Sequence, residues 1–287
     1  MPICTTCTTS VPFLYTVYTS SHNLRLHQCP NCHNFADPYV EHDSLAILLD
    51  LILLKRGVYR HLLYNRGADP RRYVADKIPE STPTKTSGEM EKMRWLTILR
   101  FGGPLVCVDA FIRWSHLNPN QPADISPWTK ETMFALFRTL VGVSVETIAF
   151  HVGVMCTCLL VLGLADRLHH TVTVSDIRRE FRFSLIPLTL FYSSLTKLFL
   201  LFLLTIWRPS PSSSAFLDLD REWVMRNMLG GMSATFGLRV VLDSHPSLTI
   251  VIIIAGWGVK TAVAQLVSRW VGGDEQMGEA WLAYSIP

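Results

Sequence analysis

Four cysteines fall within the first 32 residues as two Cys-x-x-Cys pairs, Cys4 with Cys7 and Cys29 with Cys32. Each pair makes a tight knuckle whose sulfurs converge on one point, and a hairpin between the knuckles would join the pairs. Four thiolates set tetrahedrally at about 2.3 Å suit Zn²⁺, and such a site is closed and structural. Pro30 stiffens the second knuckle, while His27 and His33 flank it as candidate alternates or donors to the ligands. Cys29-Pro30-Asn31-Cys32 lacks the strand–helix surroundings of a thioredoxin-like redox motif. A segment of about 36 residues buries too little apolar surface to fold alone, so a bound ion would supply the folding energy.

A second set of residues stands out by location. Lys197 and Lys260 sit near the centres of long apolar runs, and Glu146 and His151 interrupt another. A charge at the centre of a bilayer costs at least about 2.5–3.5 kcal/mol, so such residues need partners. The functional reading is contact with an anionic lipid head group. The bland reading is snorkelling or a structural ion pair between helices. Glu146, the only acid in 144–164, is the expected protein partner of a lysine.

The elements that must position these groups follow from hydrophobic patterning. Apolar residues make up 49% of the 287 and charged residues only 17%, against roughly 25% charged in soluble domains. The deficit is concentrated in 144–164, 183–206 and 249–271, the three best membrane spans, with 95–114 and 223–242 marginal. A net charge of +3 makes no case for nucleic acid. The first 20 residues hold no basic n-region or apolar h-region, so the first span is expected to target the chain and leave its N-terminus cytosolic.

Before the spans, Phe13–Tyr18 and Leu24–Gln28 are β-rich around a Ser20–Asn23 turn. Residues 44–64 carry apolar side chains at helical spacing and read as one helix, either interfacial or part of a small core, with Asp50 and His61 on its solvated face. Asp37, before Pro38, reads as a turn residue. The expected fold is mostly α: a polytopic membrane helical bundle with a small N-terminal zinc-ribbon-like β module. Its parts are the module at 1–36, an amphipathic helical part at 37–66, a polar linker at 67–94, three to five spans within 95–271 and an acidic tail at 272–287. Lys and Arg number eight in 65–100, four in 165–182 and one in 115–132. By the positive-inside rule the first two segments face the cytosol and the third the lumen. Five spans satisfy that rule best.

After the second knuckle the chain runs from Phe35 through Asp37, Pro38 and Tyr39 to Asp43. It continues through Leu48-Leu49-Asp50-Leu51 to Lys55, then from Tyr59 to Arg66. With the two knuckles before it, residues 1–66 resemble the Arv1 homology domain. Looser likeness includes Arg113-Trp114, Glu146, and Tyr192-Ser193-Ser194 before Lys197. The resemblance implies a multi-pass endoplasmic-reticulum protein, with the Golgi as a second location. It implies a role in sterol transport and lipid homeostasis, with links to sphingolipid metabolism and glycosylphosphatidylinositol-anchor synthesis. The implied partners are membrane lipids of those classes and lipid-synthesis enzymes. No nucleophile elbow, P-loop, dinucleotide fingerprint or His-Glu metalloprotease motif occurs, so no enzymatic activity is expected. A competing reading makes the chain a membrane-anchored adaptor whose zinc module recruits a lipid-synthesis enzyme.

Overall fold

The β-rich runs on either side of the expected turn pair with each other. In the computed structural model, β1 (Tyr15–Val17) lies antiparallel to β2 (Leu24–Leu26), with Tyr15 opposite Leu26. A two-residue β3 (Arg71–Arg72) joins the other edge of β1 in parallel, giving the order β2-β1-β3. The structure describes residues 1–18, 23–72, 87–117, 129–168, 177, 180–206, 224–272 and 278–282. Half of the 67–94 linker lies outside these residues, as do all of 208–222 and most of the expected turn at 20–23, of the 115–132 and 165–182 segments and of the tail.

The single helix expected over 44–64 is instead a helical hairpin. Asp43 caps α1 (Ser44–Ile52), its Oδ1 accepting from the Ala46 amide at 2.9 Å. Leu54 then takes a left-handed conformation, with φ +57°. The Lys55 amide donates to the Asp50 carbonyl at 3.0 Å and the Leu54 amide to Leu51 at 3.1 Å. That is a Schellman stop made without glycine, so no residue type announced it. The Lys55 ammonium returns to the Asp50 carboxylate at 2.7 Å and locks the reversal. The chain continues as α2 (Arg56–Arg60) and a π-helical turn (His61–Asn65).

The long helices are α3 (Ser87–Leu117), α4 (Lys130–Leu168), α5 (Leu185–Ile206) and α7 (Pro246–Gly272). Within them 88–115, 130–164, 185–204 and 246–272 are long and apolar enough to cross a membrane. The marginal 223–242 segment is a π-helical turn (Val224–Leu229) running into a 13-residue α6 (Gly230–Leu242). At about 1.5 Å per residue, α6 by itself covers roughly 20 Å, short of a bilayer core.

The chain forms two compact units. The first joins 1–95 with 171–203 and 232–246. In it α5 carries one stripe of small side chains, with Thr189 and Ser193 beside Gly237 and Tyr59 and Thr196 hydrogen-bonded to Ile52. At Gly237 of α6 an added Cβ would stand 2.7 Å from Thr189 Cγ2, 3.4 Å from the Tyr59 ring and 3.5 Å from Ser193 Cβ. Only glycine lets these elements close to that distance, the device that packs helices tightly in lipid. The Phe236 ring meets Tyr59 edge-on at 5.8 Å.

The second unit contains 96–170, 204–231 and 247–287. Its core gathers Ala110, Val143, Val271 and Trp281. Gly142 leaves room for Val271 and for the Trp281 ring, which would lie 3.1 Å from a Cβ there. The tail, expected only as an acidic segment, therefore supplies a fully buried indole.

Candidate metal centre and the polar pins around it

The two knuckles repeat one backbone design. The Cys4 amide donates to the Thr9 carbonyl at 2.9 Å, and the Thr8 amide returns to Cys4 at 3.0 Å. At the second knuckle Cys29 donates to Asn34 at 2.8 Å and His33 returns to Cys29 at 3.0 Å. Thr8 and His33, the residues that turn each knuckle back, are both left-handed, at φ +68° and +59°. A position that favours glycine is thus filled twice by side-chain-bearing residues.

All four sulfurs lie within 4.8 Å of one another. Cys4 Sγ is 3.7 Å from Cys32 Sγ, and Cys7 Sγ is 3.4 Å from Cys29 Sγ. Ligands about 2.3 Å from a tetrahedral zinc stand roughly 3.8 Å apart, so the donor set fits that ion. A disulfide needs about 2.05 Å, and the four thiols are free. Each knuckle contributes one buried sulfur, Cys4 or Cys29, and one half-buried sulfur, Cys7 or Cys32. Burial pushes the Cys4 thiol up to about 12. Burial acts the same way at Cys7, but the Thr9 hydroxyl and amide, with the Cys29 and Cys32 sulfurs, outweigh it and bring that thiol down to about 6. The flanking histidines stand apart from this cluster. The His27 ring packs on Phe13 at 4.6 Å, and His33 is exposed, contributing its backbone turn.

The first knuckle is pinned to α2. Arg60 Nη1 donates to the Thr5 and Thr6 carbonyls at 2.8 and 2.9 Å, between the two cysteines. A second pin is centred on Asp37, which is fully buried. Its Oδ2 lies 2.7 Å from His61 Nδ1 and accepts from Asn65 Nδ2 at 2.7 Å, while Oδ1 accepts from the Tyr39 amide at 3.1 Å. Asn65 Nδ2 also donates to the Ile3 carbonyl at 2.8 Å, and its Oδ1 accepts from the Ile3 amide at 2.8 Å. His61, expected on a solvated face, is therefore buried, because the break after α1 rotates the second half of the hairpin. Asp37 does form a turn, but as the hub of a buried network. Arg60 and Asn65 escaped the sequence reading. Both belong to the motif run that carries the family likeness, and that is the only signal that pointed to them.

The intramembrane candidates fall on three helices, α4, α5 and α7. Lys197 lies in α5 of the first unit, and Lys260 in α7 of the second. Glu146 is 1% exposed and accepts from Arg113 Nη1 at 2.8 Å, so its charge is met by an arginine. Arg113 also pairs with Asp109 at 3.3 Å and lies over the Trp281 ring at 5.2 Å. His151 Nδ1 is 2.7 Å from the Thr147 carbonyl, one turn back along α4. Nδ1 therefore carries the proton, since a carbonyl can only accept.

Comparison with known proteins finds relatives chiefly over the N-terminal region. Protein ARV1 of Saccharomyces cerevisiae is 49% identical over 63 residues, 22% of this chain and 19% of that protein. Protein arv1 of Schizosaccharomyces pombe is 51% identical over 63 residues, 22% of this chain and 24% of its own length. Protein ARV1 of Mus musculus is 28% identical over 156 residues, 53% of this chain and 47% of that protein. The chain thus spans about a fifth to a quarter of the two yeast relatives and about half of the mouse one. No solved structure matches. The Arv1-like family model covers residues 3–226, from the first knuckle through α5 and into the π-helical turn before α6, and on that match the chain is a member of the Arv1-like family.

Proposed function

We propose that this chain is an endoplasmic-reticulum membrane protein that supports sterol transport and lipid homeostasis. On the same reading it influences sphingolipid balance and glycosylphosphatidylinositol-anchor synthesis through the lipids it handles. The observation that carries the reading is membership of a family linked to sterol and lipid homeostasis. Four helices of bilayer-crossing length agree with it. The cysteine cluster takes one structural Zn²⁺ on Cys4, Cys7, Cys29 and Cys32, a closed set that offers no position to a substrate. The Arg60 and Asp37 pins then hold the metal-bound module against α2 and the π-helical turn. Lys197 offers an ammonium near the middle of α5 as a head-group contact.

Reconstitution tests the proposal. Zinc-loaded protein in liposomes should accelerate transfer of a labelled sterol or glycolipid, and lipid of the same class should copurify by mass spectrometry. Lys197→Met should keep zinc and folding yet lower transfer. Transfer that appears only when a lipid-synthesis enzyme is added would favour the adaptor reading. Chemical conversion of the lipid would establish an enzyme. A chain that binds no lipid and moves none, alone or with such a partner, overturns the proposal.

A further inference from the structure

The hairpin of α1 and α2 carries an apolar face that the fold leaves open. Leu45, Leu48 and Leu49 of α1 and its C-cap residue Leu53 follow the i, i+3, i+4, i+8 spacing of a single helical stripe. They are 62%, 41%, 49% and 68% exposed. A contiguous leucine stripe of this kind marks an interaction surface.

Three contacts within the first unit fix the level of that surface. At the base, the Tyr64 hydroxyl donates to the Val241 carbonyl at the end of α6. Further along, Tyr59 packs with Gly237 against Thr189 and Ser193. At the tip, the Thr196 hydroxyl donates to the Ile52 carbonyl at 3.0 Å. Thr196 is near the midpoint of α5, roughly 15–16 Å from either end at 1.5 Å per residue. In a bilayer core about 30 Å thick, that is close to the midplane. The nine residues of α1 cover roughly 14 Å, enough to descend from the interface to that level.

We infer that the α1–α2 hairpin is a re-entrant wedge in the membrane, and that lipid acyl chains cover Leu45, Leu48, Leu49 and Leu53. This rests on α5 being a membrane span. The wedge's polar groups fit the setting. Asp50 and Lys55, which would oppose insertion singly, neutralise each other at 2.7 Å, and the Tyr39 hydroxyl donates to the same carboxylate at 3.3 Å. The Schellman stop satisfies the carbonyls near the tip, and Thr196 satisfies that of Ile52, as backbone at membrane depth requires. Arg56 remains exposed just past the tip. A guanidinium at that depth is accommodated by snorkelling of its long side chain toward the interface.

The test uses the unmodified, metal-loaded full chain in phosphatidylcholine nanodiscs doped with phosphatidylcholine carrying a mid-chain diazirine. After irradiation, peptide mapping locates the lipid adducts. The expected result is labelling of the 45–53 peptide comparable to that of the 185–206 peptide and several-fold above that of the exposed 66–69 stretch. Labelling of 185–206 without 45–53 overturns the wedge while leaving α5 in the membrane. Labelling of neither peptide overturns both the wedge and the membrane reading of α5.

Discussion

Asp37 and His61 stand 24 positions apart and meet at 2.7 Å, with the carboxylate fully buried. The pair joins the end of the cysteine module to the π-helical turn after α2, and Asn65 extends it to Ile3, the residue before the first cysteine. The metal knuckle and the helical hairpin therefore share one hydrogen-bonded hub and should unfold together.

Asp37→Ala leaves the Tyr39 amide, His61 Nδ1 and Asn65 Nδ2 facing a void. Leaving a buried hydrogen-bonding group unsatisfied costs about 1–3 kcal/mol. The variant should lose zinc at a markedly lower temperature than the parent chain, followed by heating with a zinc-sensitive dye. An unchanged release curve would show that the module is held independently of the hub.

One zinc per chain is expected in protein purified without added metal, because a closed four-thiolate site retains its ion. Elemental analysis reads this directly. Less than about 0.2 zinc per chain with all four thiols intact is incompatible with a retaining site. Cys29→Ser should unfold the module and leave the long helices inserted, so an N-terminal fragment still resistant to protease in that variant would contradict the structural role.

His33→Gly should stabilise the module. His33 sits at φ +59°, where a side chain costs roughly 1–2 kcal/mol that glycine avoids. Against that stands glycine's greater freedom in the unfolded chain, roughly 0.5–1 kcal/mol. The net expectation is a small gain, seen as slower zinc loss to a competing chelator. Faster loss would mean that the imidazole itself helps retain the ion.

Arg113→Met should destabilise the chain more than Glu146→Gln. The first leaves two carboxylates, Asp109 and Glu146, without their guanidinium, whereas the second leaves Arg113 still paired with Asp109. A buried charge deprived of its partner costs about 3–5 kcal/mol. Thermal aggregation of the detergent-purified variants ranks the two. Equal shifts would mean that Asp109 takes no part in holding the arginine.

Engineered glycosylation acceptors check the orientation. An acceptor placed within 118–128 should be modified and one near Ser175 should not, given the distribution of Lys and Arg around them. Modification near Ser175 would reverse the parity and remove 88–115 from the spans. The fold supplies a reason to expect an odd number of crossings. The Met1 ammonium meets Glu180 before α5 at 2.9 Å, and Tyr64 meets Val241 at the end of α6. Both ends of the 185–242 stretch thus lie beside the module, so if α5 crosses the membrane the 224–242 segment is expected to cross back.

Residue type and spacing determined the parts whose physics is local. The Cys4, Cys7, Cys29 and Cys32 set was legible because a knuckle needs only a four-residue repeat, and the long helices because a span needs only an apolar run. The pairing of β1 with β2 followed from two β-rich runs flanking a stretch of turn residues. Tertiary structure decided the rest. The break at Leu54 is a left-handed turn on a residue that does not advertise it, held by Asp50 and Lys55. The burial of Asp37 and His61 depends on that break. Glu146 was expected to serve a lysine and serves Arg113, because composition counts charges but does not say which helix faces bring them together. Trp281 looked like part of a polar tail and closes a core, since its partners Val143, Ala110 and Val271 come from three separate helices. Only long-range packing, with no periodicity in sequence, could place them in contact.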